Sequence, residues 1–343
     1  MRRLLPRVVA TVALLAAATS ACGSAAASKN GGAATTLRLG YFANVTHAAA
    51  ILGVAKGFFQ QRLGSTKLDT QIFKDGPTEV TALLSGSLDA AFVGPNPAIN
   101  AYVKGDHSVR LVAGAALGGA ALVVKPSITN AAQLKGKTIA TPQLGNTQDV
   151  ALRTWLNANG HHVTLTGGDV NITPTDNATT LQLFKEGKLD GAWVPEPWVS
   201  RLVLQGGGHV LVNESSLWPQ GKFATTELIV TTSFLTAHPD AVKELIAGEL
   251  DAVNYVSTDS TGAQQLVNSE IARITGKPLK PAVIAAAFAD LTITVDPASS
   301  TLQTVADHAY AAGTLSSKAD LTGLVDLTLL NQLLAAAGKP AVS

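Results

Sequence analysis

The stretch Leu189-Asp190-Gly191-Ala192-Trp193-Val194-Pro195-Glu196-Pro197-Trp198 is an apolar run that stops at two prolines on either side of one carboxylate. A similar run lies 101 positions earlier, as Leu88-Asp89-Ala90-Ala91-Phe92-Val93-Gly94-Pro95-Asn96-Pro97. A short continuous apolar run predicts a strand covered on both faces of a sheet. Two runs that end in the same way predict two lobes that face one ligand.

Other residue pairs keep the same offset of 101, since Thr46 maps onto Thr147, Gly86 onto Gly187 and Asp89 onto Asp190. Strand patterns at 37–41, 67–73, 88–93 and 137–141 alternate with helix patterns. This alternation predicts an α/β protein with parallel, doubly wound sheets. Two unrelated βαβ units of equal length would give the same spacing, but a register kept over about fifty residues favours two equivalent lobes.

The chain order suggests where the lobes meet. We expect residues 121–125 and 225–231 to be hinge strands, so that residues 36–125 and 231–343 form lobe I and residues 126–230 form lobe II. Helical periodicity at 48–61, 239–256 and 321–337 predicts amphipathic helices, the last two packed on lobe I.

The N-terminus has the pattern of an export signal. Arg2, Arg3 and Arg7 precede the apolar run 8–18, which is too short to span a bilayer. We expect residues 1–21 to be a lipoprotein signal peptide, Cys22 to be lipidated, and residues 22–35 to form a flexible tether. Thr19 departs from the leucine usual in such a signal, and a cleaved signal with an incidental cysteine is the alternative.

Composition excludes several classes of function. The chain has 25 basic and 24 acidic residues, and with three arginines in the signal the mature protein is close to neutral, which does not indicate nucleic-acid binding. The sequence has no Gly-x-Ser-x-Gly elbow, no phosphate-binding Gly-x-x-x-x-Gly-Lys and no ligand-spaced histidine cluster. We therefore expect no catalytic residue, no cofactor and no metal.

Polar residues follow the predicted strands, where ligands bind in open α/β sheets and helix N-termini present free N–H groups. Their side chains are mainly hydroxyls and amides, which suit a compact oxyanion. The expected ligand-binding residues are Asn44, Thr46, His47, Asn96, Gly145, Asn146, Thr147, Gln148, Trp193, Glu196, Trp198, Thr225 and Thr226.

Each candidate also has a purely structural interpretation. Thr46, Thr147 and Asn96 are possible helix N-caps, and His47 a solvated loop residue. Glu196 either faces the positive end of its own helix or receives an amine or hydroxyl of the ligand. Trp193 is a core candidate, and Trp198 either covers the ligand or packs on its helix.

The segments Gly40-Tyr41-Phe42-Ala43-Asn44-Val45-Thr46-His47-Ala48, Gly57-Phe58-Phe59 and Trp193-Val194-Pro195-Glu196-Pro197-Trp198 resemble the substrate-binding proteins of ABC importers for aliphatic sulfonates, nitrate and taurine. The resemblance covers nearly all of the mature chain. It implies the type II periplasmic-binding fold, two doubly wound α/β lobes joined by two hinge strands. It also implies a site at the strand ends, including Thr225 and Thr226. No lysine of the chain matches the site that the resemblance implies, which places nitrate below organosulfonates.

These observations predict an exported, membrane-anchored, monomeric and non-catalytic receptor. Its partners would be a small organic anion, such as an aliphatic sulfonate or taurine, and an ABC permease. The alternatives are nitrate, a heterocyclic or aromatic cargo stacked on Trp198, or an enzyme on the same fold, a dehydratase or an enzyme of pyrimidine-precursor synthesis, with Glu196 or His47 as base.

Overall fold

The computed structural model describes residues 34–343, whose strands form two large mixed sheets and one small hairpin. Cys22 and the predicted signal peptide lie outside these residues. In chain order the strands are β1 (Thr36–Phe42), β2 (Lys67–Phe73), β3 (Ala90–Val93), β4 (Val109–Gly118), β5 (Ala120–Val124), β6 (Thr138–Thr141), β7 (Val163–Thr164), β8 (Gly167–Gly168), β9 (Asn171–Pro174), β10 (Gly191–Pro195), β11 (His209–Asn213), β12 (Ala224–Thr231) and β13 (Leu291–Ile293).

The helices cover the faces of both sheets. In chain order they are α1 (Ala48–Ala55), α2 (Phe58–Leu63), α3 (Gly76–Leu84), α4 (Pro95–Lys104), α5 (Thr147–Ala158), α6 (Asn177–Lys185), α7 (Trp198–Leu204), α8 (Thr232–Ala237), α9 (Pro239–Thr258), α10 (Ser260–Thr275), α11 (Pro281–Ala289), α12 (Leu302–Ala311) and α13 (Thr328–Ala336). Between residues 34 and 343 no helix is both long and apolar enough to span a membrane.

The two sheets share one strand order. The first sheet runs β2-β1-β3-β12-β4-β13, and the second runs β9-β6-β10-β5-β11. In the first sheet β12 lies antiparallel between β3 and β4, and in the second β5 lies antiparallel between β10 and β11. The prediction of two equivalent doubly wound lobes is therefore confirmed, whereas the sheets, expected to be parallel, each contain an antiparallel strand.

The internal repeat has a local cause that appears in both lobes. A carboxylate oxygen of Asp89 accepts the N–H of Arg38 at 2.8 Å, and one of Asp190 accepts the N–H of Thr138 at 2.9 Å. Each aspartate directly precedes the central parallel strand and fixes it to the next strand. The same type of contact is therefore made in both lobes, with the aspartates 101 positions apart and their donors Arg38 and Thr138 100 positions apart.

The chain crosses between the sheets at two adjacent points. Gly118 and Gly119, with φ of 78° and 68°, join β4 to β5, a conformation that side chains disfavour. The return segment 214–223 joins β11 to β12, and Phe223 O accepts the N–H of Gly118 at 3.0 Å. We call the β2-β1-β3-β12-β4-β13 sheet with its helices the first lobe, and the other large sheet with its helices the second lobe.

These crossings differ from the expected lobe boundaries. Residues 120–124 pair along their whole length with β10, so β5 belongs to the second sheet, while β12 belongs to the first. Neither strand crosses between the lobes. The change of sheet takes place just before each of them, at the glycine pair and in the segment 214–223.

Two of the predicted helices are shorter than expected. The pattern at 48–61 is divided by Gly57, whose φ of 73° ends the first helical segment, and gives α1 and α2. Of the expected segment 321–337 only α13 is helical. The helix expected at 239–256 is confirmed as α9, and the strands expected at 37–41, 67–73, 88–93, 137–141 and 225–231 are confirmed within two residues.

Candidate functional site

A small cavity of about 30 Å³ lies where the ends of strands from both lobes meet. Its volume is enough for two or three water-sized groups, since one water needs roughly 10–15 Å³. The lining residues are Phe42, Asn44, Thr46, His47, Lys74, Gly76, Gly94, Pro97, Pro142, Asn146, Thr147, Gln148, Asn177, Pro195 and Thr225. We call this cavity the cleft. It brings together seven of the thirteen predicted ligand-binding residues.

Two buried asparagines in the cleft are oriented by hydrogen bonds from the opposite lobe. Oδ1 of Asn44 accepts the indole N–H of Trp198 at 3.1 Å, and Oδ1 of Asn146 accepts the N–H of Gly76 at 3.2 Å. Because both partners can only donate, the accepting atoms are the amide oxygens. Among the described residues neither Nδ2 has an acceptor, so both NH2 groups are available to a ligand.

The N-terminus of α5 adds two backbone donors. Asn146 is its N-cap residue but makes no side-chain cap bond, since its oxygen is bonded to Gly76. Within residues 34–343 the N–H groups of Thr147 and Gln148 have no acceptor, whereas those of Asp149 and Val150 bond to Asn146 O. The helix dipole adds positive potential at this point, so the end of α5 favours an anion. Thr147 and Asn96 are not helix caps, as those positions are taken by Asn146 and Gly94.

A buried ion pair holds the loop before α5 in place. Asp149 accepts bonds from Thr141 Oγ1 at 3.0 Å and from the N–H of Gly145 at 3.1 Å, and it pairs with Arg153, Nε lying 3.1 Å from Oδ2. Both charged side chains are at most 2% exposed. Gly145 therefore contributes through its backbone to the shape of the loop and does not line the cleft.

The side chains of Thr46 and His47 are hydrogen-bonded to each other. The imidazole stacks on Phe42, and its Nε2 lies 3.0 Å from the carbonyl oxygen of Phe92. A carbonyl only accepts, so Nε2 carries the proton and Nδ1 accepts from Thr46 Oγ1 at 3.1 Å. Burial lowers the pKa of His47 to about 3. His47 is thus a neutral residue in the wall of the cleft. Thr46 lies within a 3-10 turn and not at a helix cap, and it donates its hydroxyl hydrogen bond to His47.

Lys74 is the cation at the edge of the cleft, and sequence reasoning missed it. It follows β2 directly, and the strand ends considered from the sequence did not include this one. Its lobe-equivalent region, after β9, supplies Asn177, which is offset from Gly76 by the same 101 positions and also lines the cleft. Applying the repeat to every strand end, and not only to two in each lobe, would have found both.

Glu196 lies outside the cleft, so the expected contact with a ligand amine is not available. It is fully buried, and its carboxyl accepts from Ser200 Oγ at 2.9 Å and from Ser200 N at 3.2 Å. Burial, with Asp290 beside it, raises its pKa to about 8. Its backbone N–H bonds to Gly119 O at 2.8 Å. Glu196 thus stabilises the start of α7 beside the crossing, which is the structural alternative weighed for it.

Four other predicted residues do not line the cleft: three of them point elsewhere, and Trp198 only borders it. Trp193 is fully buried in the second lobe and donates its indole N–H to Glu214 at 2.7 Å. Asn96 faces α12, where its amide reaches Val305 O at 3.5 Å. Thr226 is buried in the first lobe. Trp198 borders the cleft by its bond to Asn44, with the Arg201 guanidinium 4.4 Å from its ring centre.

The architecture is that of the periplasmic-binding proteins. An alkanesulfonate-binding protein from Xanthomonas axonopodis, solved with MOPS bound, superposes with a TM-score of 0.72 at 23% identity over 86% of this chain and 99% of that one. A nitrate-binding protein from Synechocystis superposes with a TM-score of 0.74 at 18% identity over 90% and 92%. At these identities the likeness establishes the fold alone.

The sequence places the chain in a family. The NMT1-like family matches residues 30–272, and the chain belongs to it. The taurine-binding periplasmic protein of Escherichia coli is 29% identical over 227 residues, which are 65% of this chain and 68% of that protein. Putative binding proteins of Brucella abortus are 28% identical over 215 residues, and the chain spans only 64% of their length.

Proposed function

We propose that this protein is the solute-binding receptor of an ABC importer, and that it captures a small organic anion bearing a sulfonate group in the cleft between its lobes. One observation carries the proposal, the pair of asparagines whose oxygens are each bonded to the other lobe. Their NH2 groups, the free N–H groups of α5 and Lys74 converge on one small cavity. Among the described residues that line it, none is a carboxylate.

The binding mode follows from these donors. A sulfonate has three oxygens that only accept hydrogen bonds, and the cleft presents amide and backbone donors from both lobes. Because Asn44 and Asn146 also bond across the cleft, contacts to the anion and contacts between lobes strengthen the same closed arrangement. A ligand that touches both lobes would stabilise this arrangement over an open one. Delivery to a membrane permease would then require the lobes to separate.

The relatives support a role in binding an organosulfonate. The taurine-binding protein and the alkanesulfonate-binding protein are named for organosulfonates, and the second was solved with MOPS, a sulfonate buffer. Taurine differs from ethanesulfonate by an amino group, for which Glu196 was the expected partner. Since Glu196 is bonded to Ser200 away from the cleft, we expect taurine to bind no better than ethanesulfonate.

Nitrate is a second candidate because of Lys74. The expected absence of a lysine from the site placed nitrate below sulfonates, but Lys74 lines the cleft, so that reason no longer holds. A cavity of about 30 Å³ also suits a three-oxygen inorganic anion. The fold of the Synechocystis nitrate-binding protein is the same.

Calorimetry on the mature domain separates these candidates. Ethanesulfonate, taurine and nitrate would be titrated at low and physiological salt. We expect micromolar or tighter binding of a sulfonate and weaker binding of nitrate. Tight binding of nitrate without binding of a sulfonate would show that the ligand is nitrate. The absence of binding heat with all three anions would contradict the proposed function as an anion receptor.

Neither of the two residues considered as a base for the enzymatic alternative is available in the cleft. Both ring nitrogens of His47 are engaged and its pKa is about 3, and Glu196 does not reach the cavity. We therefore propose a receptor that releases its ligand unchanged. Mass spectrometry of ethanesulfonate recovered after long incubation with the protein tests this, and any converted product would favour an enzyme.

We also propose that Cys22 carries a lipid anchor on the outer side of the cytoplasmic membrane and that the receptor is monomeric. The export pattern before Cys22 and the small-residue tether after it support the anchor. Growth with a labelled fatty acid should label the wild type but not the variant Cys22→Ser. A labelled Cys22→Ser protein would contradict the anchor.

Light scattering tests the oligomeric state, and a mass of twice the monomer would contradict a monomeric receptor.

A further inference from the structure

A second, larger cavity of about 220 Å³ lies between the lobes and has an aromatic wall. The second lobe contributes the side of α5, and the return segment contributes three aromatic or apolar side chains. The first lobe contributes residues from α4 and α12. Its lining residues are Asn96, Thr147, Val150, Ala151, Thr154, Trp155, Ala158, Glu214, Leu217, Trp218, Phe223, Ala224, Val305 and His308. We call this cavity the aromatic chamber.

The wall suits a flat apolar group. Trp218 stacks on Phe223 with ring centres 6.1 Å apart, and His308 lies 5.8 Å from Trp218. Burial lowers the pKa of His308, which favours its neutral form. Glu214 is buried with its carboxyl turned to the indole of Trp193, at 2.7 Å. Aromatic rings pack favourably against such walls in stacked or edge-on arrangements.

Thr154 also lines the chamber. Its Oγ1 is itself buried and makes no hydrogen bond among the described residues, so the wall at this position is the apolar part of the side chain.

The chamber and the cleft share one residue, Thr147. Beside it lies Gly94, where an added Cβ would come within 2.6 Å of Thr147 Oγ1. Gly94 packs tightly against Thr147 Oγ1 at this point, so a ligand that occupies both cavities would pass beside Thr147 and displace its hydroxyl side chain. The cleft has room for an anionic group and little else, whereas a cavity of about 150 Å³ already holds benzene.

We propose that the cargo is an alkanesulfonate that carries an aromatic ring, with its sulfonate in the cleft and its ring in the aromatic chamber. This inference rests on the proposed function, since it assigns the rest of the same ligand. It differs from stacking on Trp198, because that ring is covered by Arg201 and bonded to Asn44. Walls from both lobes and from the return segment would close around the ring.

Titration calorimetry with 2-phenylethanesulfonate and ethanesulfonate tests the proposal. We expect the phenyl compound to bind wild type at least tenfold more tightly. Ala151→Leu fills the chamber and should remove that advantage while leaving ethanesulfonate affinity unchanged. Ala311→Leu, at an exposed position of α12, is the matched control and should change the affinity for neither compound. If Ala151→Leu does not fold, Ala158→Leu at the chamber wall replaces it.

The indole N–H signals in NMR give an independent measure of position. Trp198 reports on the cleft, and Trp155 and Trp218 report on the chamber. Ethanesulfonate should shift Trp198, and the phenyl compound should shift Trp155 and Trp218 in addition. If both compounds bind equally and shift the same signals, the chamber assignment is overturned and the receptor stands. If neither sulfonate binds, the proposed function fails and the chamber assignment fails with it.

Discussion

The indole nitrogen of Trp198, at the start of α7, donates to Oδ1 of Asn44, after β1, across 3.1 Å between the two lobes. This bond fixes which end of the Asn44 amide faces the cleft. The oxygen is engaged by the other lobe, and the NH2 group is left for a ligand. The bond from Gly76 N to Asn146 Oδ1 does the same in the opposite direction. Closure of the lobes and selection for an anion are therefore coupled through the same two side chains.

Asn44→Asp tests that coupling. Aspartate keeps an acceptor for Trp198 but places a negative oxygen where the NH2 group was, so we expect anion affinity to fall at least a hundredfold with little change in melting temperature. The measurement is calorimetry with the sulfonate that binds wild type. Asn159→Asp, which adds the same charge at the exposed far end of α5, should bind normally. A loss of less than threefold would show that Asn44 does not face the anion.

Lys74→Gln tests the cation at the cleft edge. We expect affinity for the anion to fall about five- to thirtyfold, because an exposed ammonium contributes a modest and salt-screened attraction. The salt dependence of binding should also become shallower. Lys67→Gln, at the other end of β2, serves as the control with the same charge change. Equal salt dependence in wild type and Lys74→Gln would argue against this role.

The stability of the protein should depend on His47 at acid pH. Burial lowers the pKa of His47 from 6.5 to about 3, so between these values the unfolded chain takes up a proton that the folded one does not. The contribution of neutral His47 to the free energy of unfolding is therefore complete above pH 6.5 and is lost as the pH drops towards 3. From pH 7 to pH 5 this group should cost roughly 2 kcal/mol of unfolding free energy.

Urea unfolding of wild type and His47→Gln at several pH values measures that cost. The variant His47→Gln should be less stable at pH 7. Its free energy of unfolding should, however, fall less between pH 7 and pH 5 than that of wild type. Buried carboxyls with raised pKa, such as Glu196, act in the opposite direction but are common to both proteins. The exposed His162 provides the control variant His162→Gln, whose slope should match wild type. Parallel slopes for wild type and His47→Gln would contradict the prediction.

Asp149→Asn should destabilise the second lobe and disturb the cleft together. Removing the carboxylate leaves the buried Arg153 charge unpaired, which costs about 3–5 kcal/mol, and loosens Gly145 just before the α5 donors. Replacing both partners, as Asp149→Leu with Arg153→Met, should recover part of the stability but not the binding. Glu186→Gln breaks an exposed pair with Lys188 and should leave stability unchanged. An equally stable Asp149→Asn would refute the anchoring role.

Much of the architecture could be predicted because it depends on local pattern. Apolar runs and their spacing gave the strands, and the 101-residue offset gave two equivalent lobes, since Asp89 and Asp190 make the same strand contact. The strand ends at Asn44 and Asn146 were found for the same reason. Lys74 was missed because the end of β2 was not considered, although the repeat points to it.

Other positions depended on contacts that no local pattern encodes. Glu196 looked like a ligand residue because prolines flank it, yet its carboxyl caps α7 beside Asp290, a residue 94 positions away in the chain. Asn96 lies one residue into α4, and the rotation of that helix turns it to α12. The lobe boundaries shifted because β5 and β12 each pair with strands of the sheet they enter, and pairing partners are set by the whole sheet.

The sequence by itself determined that two α/β units of one plan carry polar strand ends, because periodicity and helix-start residues are local properties. The tertiary structure alone decided which ends meet, which atom of each asparagine faces the cleft, and where the aromatic chamber lies beside Thr147. These features arise from pairs such as Asn44 with Trp198, separated by 154 residues, and such pairs form only once both lobes have folded against each other.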